Sequence, residues 1–272
     1  MGTFSEKHKV PRFSLITVNF QSALAISRMV RSLPPLFLED TEILIVNNDS
    51  DDAPLLSRLF RQQERIRVID SVRNVGFGAA CNRGAREAQA ETLLFLNPDT
   101  RFVAGSLAAW TAEFLSSERS ISAPIVMHGQ QEEAWGSGKV VSPASILLKN
   151  IFPCTRFWSW YVALSLPDWI SGAAFMMRRS DFMEVGGFDE RFFLYYEDVD
   201  LCRRAQQAGL TICRSRQAVF EHHGGLSHSS HRGKKQAYFR SQDLYVNKYY
   251  GSRWVSLMRF LRRVRAAIFS WI

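Results

Sequence analysis

The chain has 272 residues, of which 46% are hydrophobic, with 20 Phe, 7 Trp and a net charge of +8. That is long enough for one large domain, and the composition excludes a disordered chain, a collagen-like repeat or a disulfide-dense scaffold. Its cysteines (Cys81, Cys154, Cys202, Cys213) form no C-x-x-C pair, which argues for a reducing compartment and against zinc. Residues 13–18 (FSLITV) read as a short buried strand, and 22–33 as a helix stopped by Pro34-Pro35. Residues 42–46 (EILIV) form a second strand, ending in the polar burst of 47–52. A helix is expected over 54–63, a strand over 67–70, a helix over 79–90, a buried strand over 92–96 ending in Asn97-Pro98-Asp99, and a helix over 105–116.

This alternation predicts an α/β fold with a single, mostly parallel central sheet covered by helices on both faces. In such sheets ligands sit beyond the carboxyl ends of the strands. Asn19, the 47–52 cluster and the 97–99 cluster all fall at that edge. Three polar groups at one edge carry more weight than any one, because turns attract Asn and Asp by themselves.

The densest chemical signal is FFLYYEDVDLCRR, with Glu197, Asp198 and Asp200 inside an aromatic run and Arg203 and Arg204 following. Three carboxylates so close repel one another and resist burial without compensation. A carboxylate held against aromatic surface is suited to act as a general base. Acids are also favoured at a helix N-terminus, so a helix is expected from about Val199, with Asp198 near its cap and Glu197 just outside. Asp200 is expected to be structural.

Gly76-Phe77-Gly78-Ala79-Ala80-Cys81 follows a strand and opens a helix, with Asp99 further on, as in a dinucleotide fingerprint. Cys81 stands where that motif needs a small residue, and the motif follows the third strand instead of the first. A nicotinamide oxidoreductase is therefore the weaker reading. Gly76 and Gly78 permit close backbone approach, and Asn74, Asn82 and Arg83 offer polar groups to a nucleotide. Asp99 gains weight from EHHGG, where His222 and His223 precede Gly224-Gly225. One carboxylate and one imidazole suit Mn²⁺ or Mg²⁺, with phosphate oxygens and water completing an octahedron. His222 is the expected ligand and His223 its neighbour; His228 and His231 read as solvated loop residues.

The ordered set IVNNDSDD, NVGFGAACNRG, LLFLNPDT, DWISGAAFMMRR, GGFDERFFLYYEDVDLCRRAQQAG and HHGG resembles the family 2 inverting glycosyltransferases of the GT-A fold, and most of all their rhamnosyltransferase-type branch, over about residues 12–230. The resemblance implies a nucleotide-sugar donor and a divalent metal, Mn²⁺ or Mg²⁺. It implies Asp198 as the catalytic base beside Glu197, and Asp99 and His222 as metal ligands. Gly172 and Ala173 match the loop facing donor sugar and acceptor, and Asn47 and Asn48 match the base-reading position. Val18, Asn19, Asn74, Gly76, Phe77, Asn82 and Asn97 complete the expected donor site. Two positions depart from the family: Asn97 replaces the first Asp of the metal motif, and Asn47 replaces an Asp whose role an amide oxygen can still fill toward uracil or thymine. Rhamnose from dTDP-rhamnose is what the resemblance implies for the donor.

The expected domain spans 12–243, with a nucleotide-binding half to about 100 and an acceptor and catalytic half after it. A basic tail follows over 244–272. No acid occurs after Asp243, and as a helix the tail gathers Trp254, Leu257, Met258, Leu261, Val264, Ile268 and Ile272 on one face, with Arg259, Arg262 and Arg263 opposite. That is the pattern of an interfacial membrane helix; a helix packed on the domain is the alternative. The first residues lack the apolar core of a signal peptide, and no apolar run reaches the ~18–20 residues of a span. The expected setting is cytoplasmic, peripheral on the inner face of the membrane, with a glycan or lipid-linked glycan acceptor and no nucleic-acid partner. Trp158, Trp160 and Tyr161 are candidates for stacking on a sugar, for meeting lipid or for core packing.

Overall fold

The computed structural model describes residues 10–71, 73–132, 136–151, 166–224 and 231–269. Trp158, Trp160, Tyr161, Cys154 and His228 lie outside the described residues.

β1 (Phe13–Asn19), β2 (Thr41–Asn47) and β4 (Thr92–Leu96) are buried along their whole length. Their near-continuous apolar sequences suit strands with helices on both faces. β3 (Ile66–Asp70) closes one edge, and the order β3-β2-β1-β4 is parallel throughout. The nine-stranded sheet continues through β10 (Ala174–Arg178), β6 (Ser120–His128), β11 (Thr211–His222) and β5 (Thr100–Gly105). β10 runs antiparallel between β4 and β6, and β5 antiparallel to β11. β6 and β11 keep the direction of the first four strands. The sheet is thus mostly parallel as expected, with a reversed strand at its centre. β7 (Gln131–Glu132) pairs with β6, and β8 (Ser137–Gly138) with β9 (Trp169–Ile170) forms a small separate ribbon.

Successive strand residues feed opposite cores, as the two-residue period demands. Leu15, Ile43, Ile45 and Leu94 join α1 (Ala23–Ser32), α2 (Pro35–Glu39), α3 (Ala53–Phe60) and α5 (Leu107–Ser116) through Ile26, Met29, Phe37, Leu56, Trp110 and Phe114. Ile16, Leu44, Val46, Leu93 and Phe95 meet α4 (Phe77–Glu87), α7 (Arg179–Glu184) and α8 (Glu197–Gln207) through Ala80, Ala85, Phe182, Leu201 and Ala205. Phe95 and Phe175 stack with centroids 4.6 Å apart across β4 and β10, a pair worth about 0.5–1.5 kcal/mol beyond its buried area. α6 (Pro143–Ile151) leaves the sheet, and α9 (His231–Tyr250) and α10 (Ser252–Phe269) form a hairpin against it. Gly251, at φ +92°, makes the reversal between them and donates its N–H to Val246 O and Asn247 O. α9 runs unbroken through position 243, where the acids end.

Candidate active site

The expected edge residues converge at the carboxyl ends of β1, β2 and β3. Asn19 Nδ2 donates to Asn47 Oδ1 at 2.9 Å, and Asn47 Nδ2 donates to Asp70 Oδ1 at 2.8 Å. Asn47 Oδ1 also accepts from the Asp49 N–H (3.2 Å). That oxygen, on a residue only 2% exposed, is already in use, so it does not serve a nucleobase as the sequence suggested. The exposed carboxylate at this position is Asp70, the last residue of β3. Sequence reasoning missed it, although it ends a predicted strand at the same edge. Asn48 Nδ2 donates to Gly76 O at 3.0 Å, while its Oδ1 is buried with no partner among the described residues. An orphaned acceptor there suits a ligand N–H or O–H. Val18 lines this edge within β1 and is 7% exposed.

Gly76 adopts φ +88°, and a Cβ there would lie 2.4 Å from Phe193 O. Only glycine fits this left-handed turn against backbone. Asn74 Oδ1 accepts from Gly76 N at 3.0 Å, and Phe77 N donates to Phe193 O at 3.0 Å. The loop therefore joins the turn that precedes α8. Asn82 does not reach the cleft: its Nδ2 donates to Phe188 O (2.9 Å) and Glu190 Oε1 (3.0 Å), and its Oδ1 accepts from Phe188 N (2.8 Å). It is a strut between α4 and the turn after α7, not a nucleotide contact.

α8 begins at Glu197, two residues earlier than expected. Its cap is Tyr196 at φ +68°, and Tyr195 before it has φ +70°. Such angles in bulky residues are strained and persist only where neighbours hold them. α9 supplies the hold. Ser241 Oγ donates to Leu194 O at 2.7 Å and Gln242 Nε2 to Tyr196 OH at 2.7 Å. Lys248 Nζ (2.6 Å), Tyr249 OH (2.7 Å) and Arg204 Nε (2.7 Å) all donate to the carboxylate of Asp200, which is fully buried. Asp200 is structural, as expected. Arg203 lies over the Tyr249 ring at 3.9 Å and donates to the Tyr245 and Tyr250 hydroxyls, so it serves α9, while Arg204 stays with Asp200 and the Val185 carbonyl.

The strained turn delivers Asp198. Its Oδ2 accepts from Gly172 N at 3.0 Å and its Oδ1 from Val199 N at 2.8 Å. Burial raises its pKa against the opposing pull of these two N–H groups. Asn97 N donates to Ala173 O at 2.8 Å, so the Gly172-Ala173 loop ties the end of β4 to the carboxylate of α8. Glu197 turns inward toward Gly78 and Cys81 of α4 and is 5% exposed, with Oε2 unpartnered. Burial and the charge of Asp198 push its pKa well up. Facing the core, it stands beside Asp198 as a neighbour and not as a second group at the acceptor.

Asp99 and His222 meet across the β5–β11 pairing, where His222 faces Thr100. His222 Nε2 stands 3.2 Å from Asp99 Oδ1. Two cis ligands on an octahedral Mg²⁺-sized ion are separated by about 3.0 Å at bond lengths near 2.1 Å, so this donor pair fits such an ion. Burial raises the Asp99 pKa, but the His222 hydrogen bond and charge outweigh it and leave the carboxyl below its usual range. His223 N donates to Asp99 O at 3.0 Å, which makes it the expected neighbour. His128, at the end of β6, donates from Nδ1 to His222 O at 3.0 Å. Nothing in the sequence signalled it, because β6 itself was not predicted. No group of three His, Cys, Asp or Glu residues suited to a metal occurs among the described residues.

The family described as Glycosyl transferase family 2 matches residues 14–186, well over half of the chain. The chain belongs to this family. A second pattern, the N-terminal domain of galactosyltransferase, matches 157–231. The enzyme is 24% identical over 280 residues to the N-acetylglucosaminyl-diphospho-decaprenol L-rhamnosyltransferase of Mycobacterium tuberculosis, covering 93% of this chain and 90% of that one. It is 27% identical over 197 residues to rhamnosyltransferase WbbL of Escherichia coli K12, covering 66% and 72%. Its fold matches GalNAc-T7 solved with UDP, GalNAc and Mn²⁺ (TM-score 0.61, 14% identity), covering 88% of this chain but only 48% of that one. It also matches the mannosyltransferase PcManGT of Pyrobaculum calidifontis solved with GDP-Man and Mn²⁺ (TM-score 0.56, 13% identity), covering 87% and 62%. The glycosyltransferase therefore has a GT-A fold and is a nucleotide-sugar-dependent hexosyltransferase. Family membership overturns the oxidoreductase reading of the Gly76–Cys81 loop, whose first turn is tied to Phe193.

Proposed function

We propose that this glycosyltransferase moves rhamnose from dTDP-rhamnose to a hydroxyl of a lipid-linked glycan, with inversion at the anomeric carbon, in cell-surface polysaccharide synthesis. The observation that carries the reading is Asp198, held by the Gly172 and Val199 N–H groups where the metal-motif strand, the donor loop and α8 meet. The rhamnosyl donor is supported by the names of both relatives, and the lipid-linked acceptor by that of the mycobacterial one.

In the step, the acceptor oxygen forms the bond to C1 as the C1–O bond to the diphosphate breaks, and that electron pair leaves with the diphosphate. Asp198 takes the acceptor proton late in the step, as general bases do at developing oxonium centres. No enzyme nucleophile is needed in a single displacement, by analogy with inverting glycosidases. Asp99 and His222 would hold a divalent ion, which supplies charge neutralisation for the departing diphosphate. Asn48 Oδ1 and Asp70 are the acceptors available to an imide N–H or a ribose hydroxyl.

A thermal-shift panel tests the donor site, with Mn²⁺ or Mg²⁺ and dTDP, UDP or GDP. A ligand at about 100 times its Kd stabilises by about 2.7 kcal/mol. One diphosphate is expected to shift the wild type in a metal-dependent manner and not Asp99→Ala. Silence with all three would remove the donor site. A shift without any transfer would favour an inactive partner in an assembly complex.

A further inference from the structure

α10 packs on the body through one face only. Val255 and Met258 are buried with Ile146 of α6 and Val246 of α9. Arg259 and Arg262 both reach the Asp243 carboxylate of α9. The sequence alone set these two arginines on a solvated face; the fold uses them as a clamp. What remains outward is Trp254, Leu257, Phe260, Leu261 and Val264, between 37% and 60% exposed. At about 100° per residue the five share an arc roughly 120° wide, along about 15 Å of helix. An ordered strip of large apolar side chains of this kind marks an interaction surface, not an ordinary solvated helix.

The charge beside the strip has one sign. No Asp or Glu occurs after Asp243. Arg253 and Arg263 are exposed and pair with no carboxylate among the described residues. Two copies of α10 meeting on this face would bring only cations together, which opposes self-association. No described helix is long and apolar enough to cross a membrane. A helix with an apolar face, a basic flank and a terminal Trp matches the chemistry of the headgroup layer.

We propose that the outward face of α10 docks the enzyme on a bilayer surface rich in anionic headgroups. The strip sinks to the headgroup boundary, and Arg253 and Arg263 meet lipid phosphates. The Asp243 clamp and the buried Met258 set which face is presented before contact. The inference stands on α10 itself and rests on the transfer reading only for what docking accomplishes, the approach to a lipid-linked acceptor.

The test is co-sedimentation of the full chain with phosphatidylcholine vesicles, with and without phosphatidylglycerol. The wild type is expected to bind the anionic vesicles at least 10-fold more tightly than the neutral ones. Leu257→Ser/Phe260→Ser is expected to weaken that binding by 10-fold or more, and Arg253→Gln/Arg263→Gln by about 30-fold. Transfer to a water-soluble acceptor should be unchanged in these variants, which shows that they fold. Undiminished vesicle binding in the serine variant would overturn the proposal. So would equal affinity for both vesicles, or a wild-type dimer that the serine variant dissolves. Lack of vesicle binding with soluble transfer intact sinks the docking face alone; lack of transfer with vesicle binding intact sinks the transfer reading alone.

Discussion

Asp198 and Glu197 are neighbours with opposite surroundings. Asp198 sits at the cleft between two N–H donors, and burial keeps its pKa above that of an ordinary aspartate. A base must be ionised, so kcat/KM falls as pH drops through the raised value. The acid limb of the pH profile is expected above about 4, the usual aspartate value; a limb at or below it would remove Asp198 as the base. Asp198→Asn is expected to lower kcat by about 10²–10⁴-fold with the nucleotide thermal shift intact. Glu197 is buried with an unpartnered oxygen, and its folded pKa is raised. The fold therefore prefers its neutral form. The resulting destabilisation is absent below the unfolded value of about 4.3 and grows as pH rises from there to the folded value. Glu197→Gln, which resembles the neutral acid, should stabilise the fold at pH 8 and do almost nothing at pH 4. Denaturant melts at the two pH values measure this, and equal gains at both would refute it.

The element that sets the position of Asp198, the proposed base, is the turn at Tyr195 and Tyr196. Two left-handed aromatic residues cost about 1–3 kcal/mol each, and α9 holds them. Ser241→Ala removes the bond to Leu194 O and is expected to lower stability by about 1–2 kcal/mol. It should also lower kcat while sparing donor affinity, because the proposed donor contacts lie on β1 to β4 and the Gly76 loop. Kinetics that show a raised donor KM with unchanged kcat would contradict this division. Most strands and helices of the first half were legible from hydrophobic runs and Pro or Asn stops, within one to three residues at their ends; α2 was not, because Pro34-Pro35 read only as a stop where Pro35 opens a helix. β5, β6, β10 and β11 were not, because mixed or exposed stretches such as TRFVAG and TICRSRQAVFEH carry no clean period. The Asp99–His222 contact, the proposed metal pair, is made by the register of β5 on β11, so its geometry was hidden with those strands even though both residues were named.

Across the whole molecule, α10 is part of the fold on one side and free on the other. Met258→Ala is expected to cost about 2–3 kcal/mol, as buried Met truncations do. Phe260→Ser should stay within about 0.5 kcal/mol, as exposed substitutions do. Comparable losses at both sites in chemical denaturation would mean that Phe260 is also covered. The sequence by itself determined the layered α/β architecture and the polar edge, and it named Asp198, Asp99 and His222 as candidates, because hydrophobic period and residue chemistry are local properties. Only the tertiary structure decided that Asp70 stands exposed where Asn47 is spent, that Asn82 is a strut, and that Glu197 faces the core. It alone decided that Arg259 and Arg262 clamp Asp243. Each of these depends on which partner arrives from a distant part of the chain, and long-range pairing is set by packing and register, not by the neighbours in sequence.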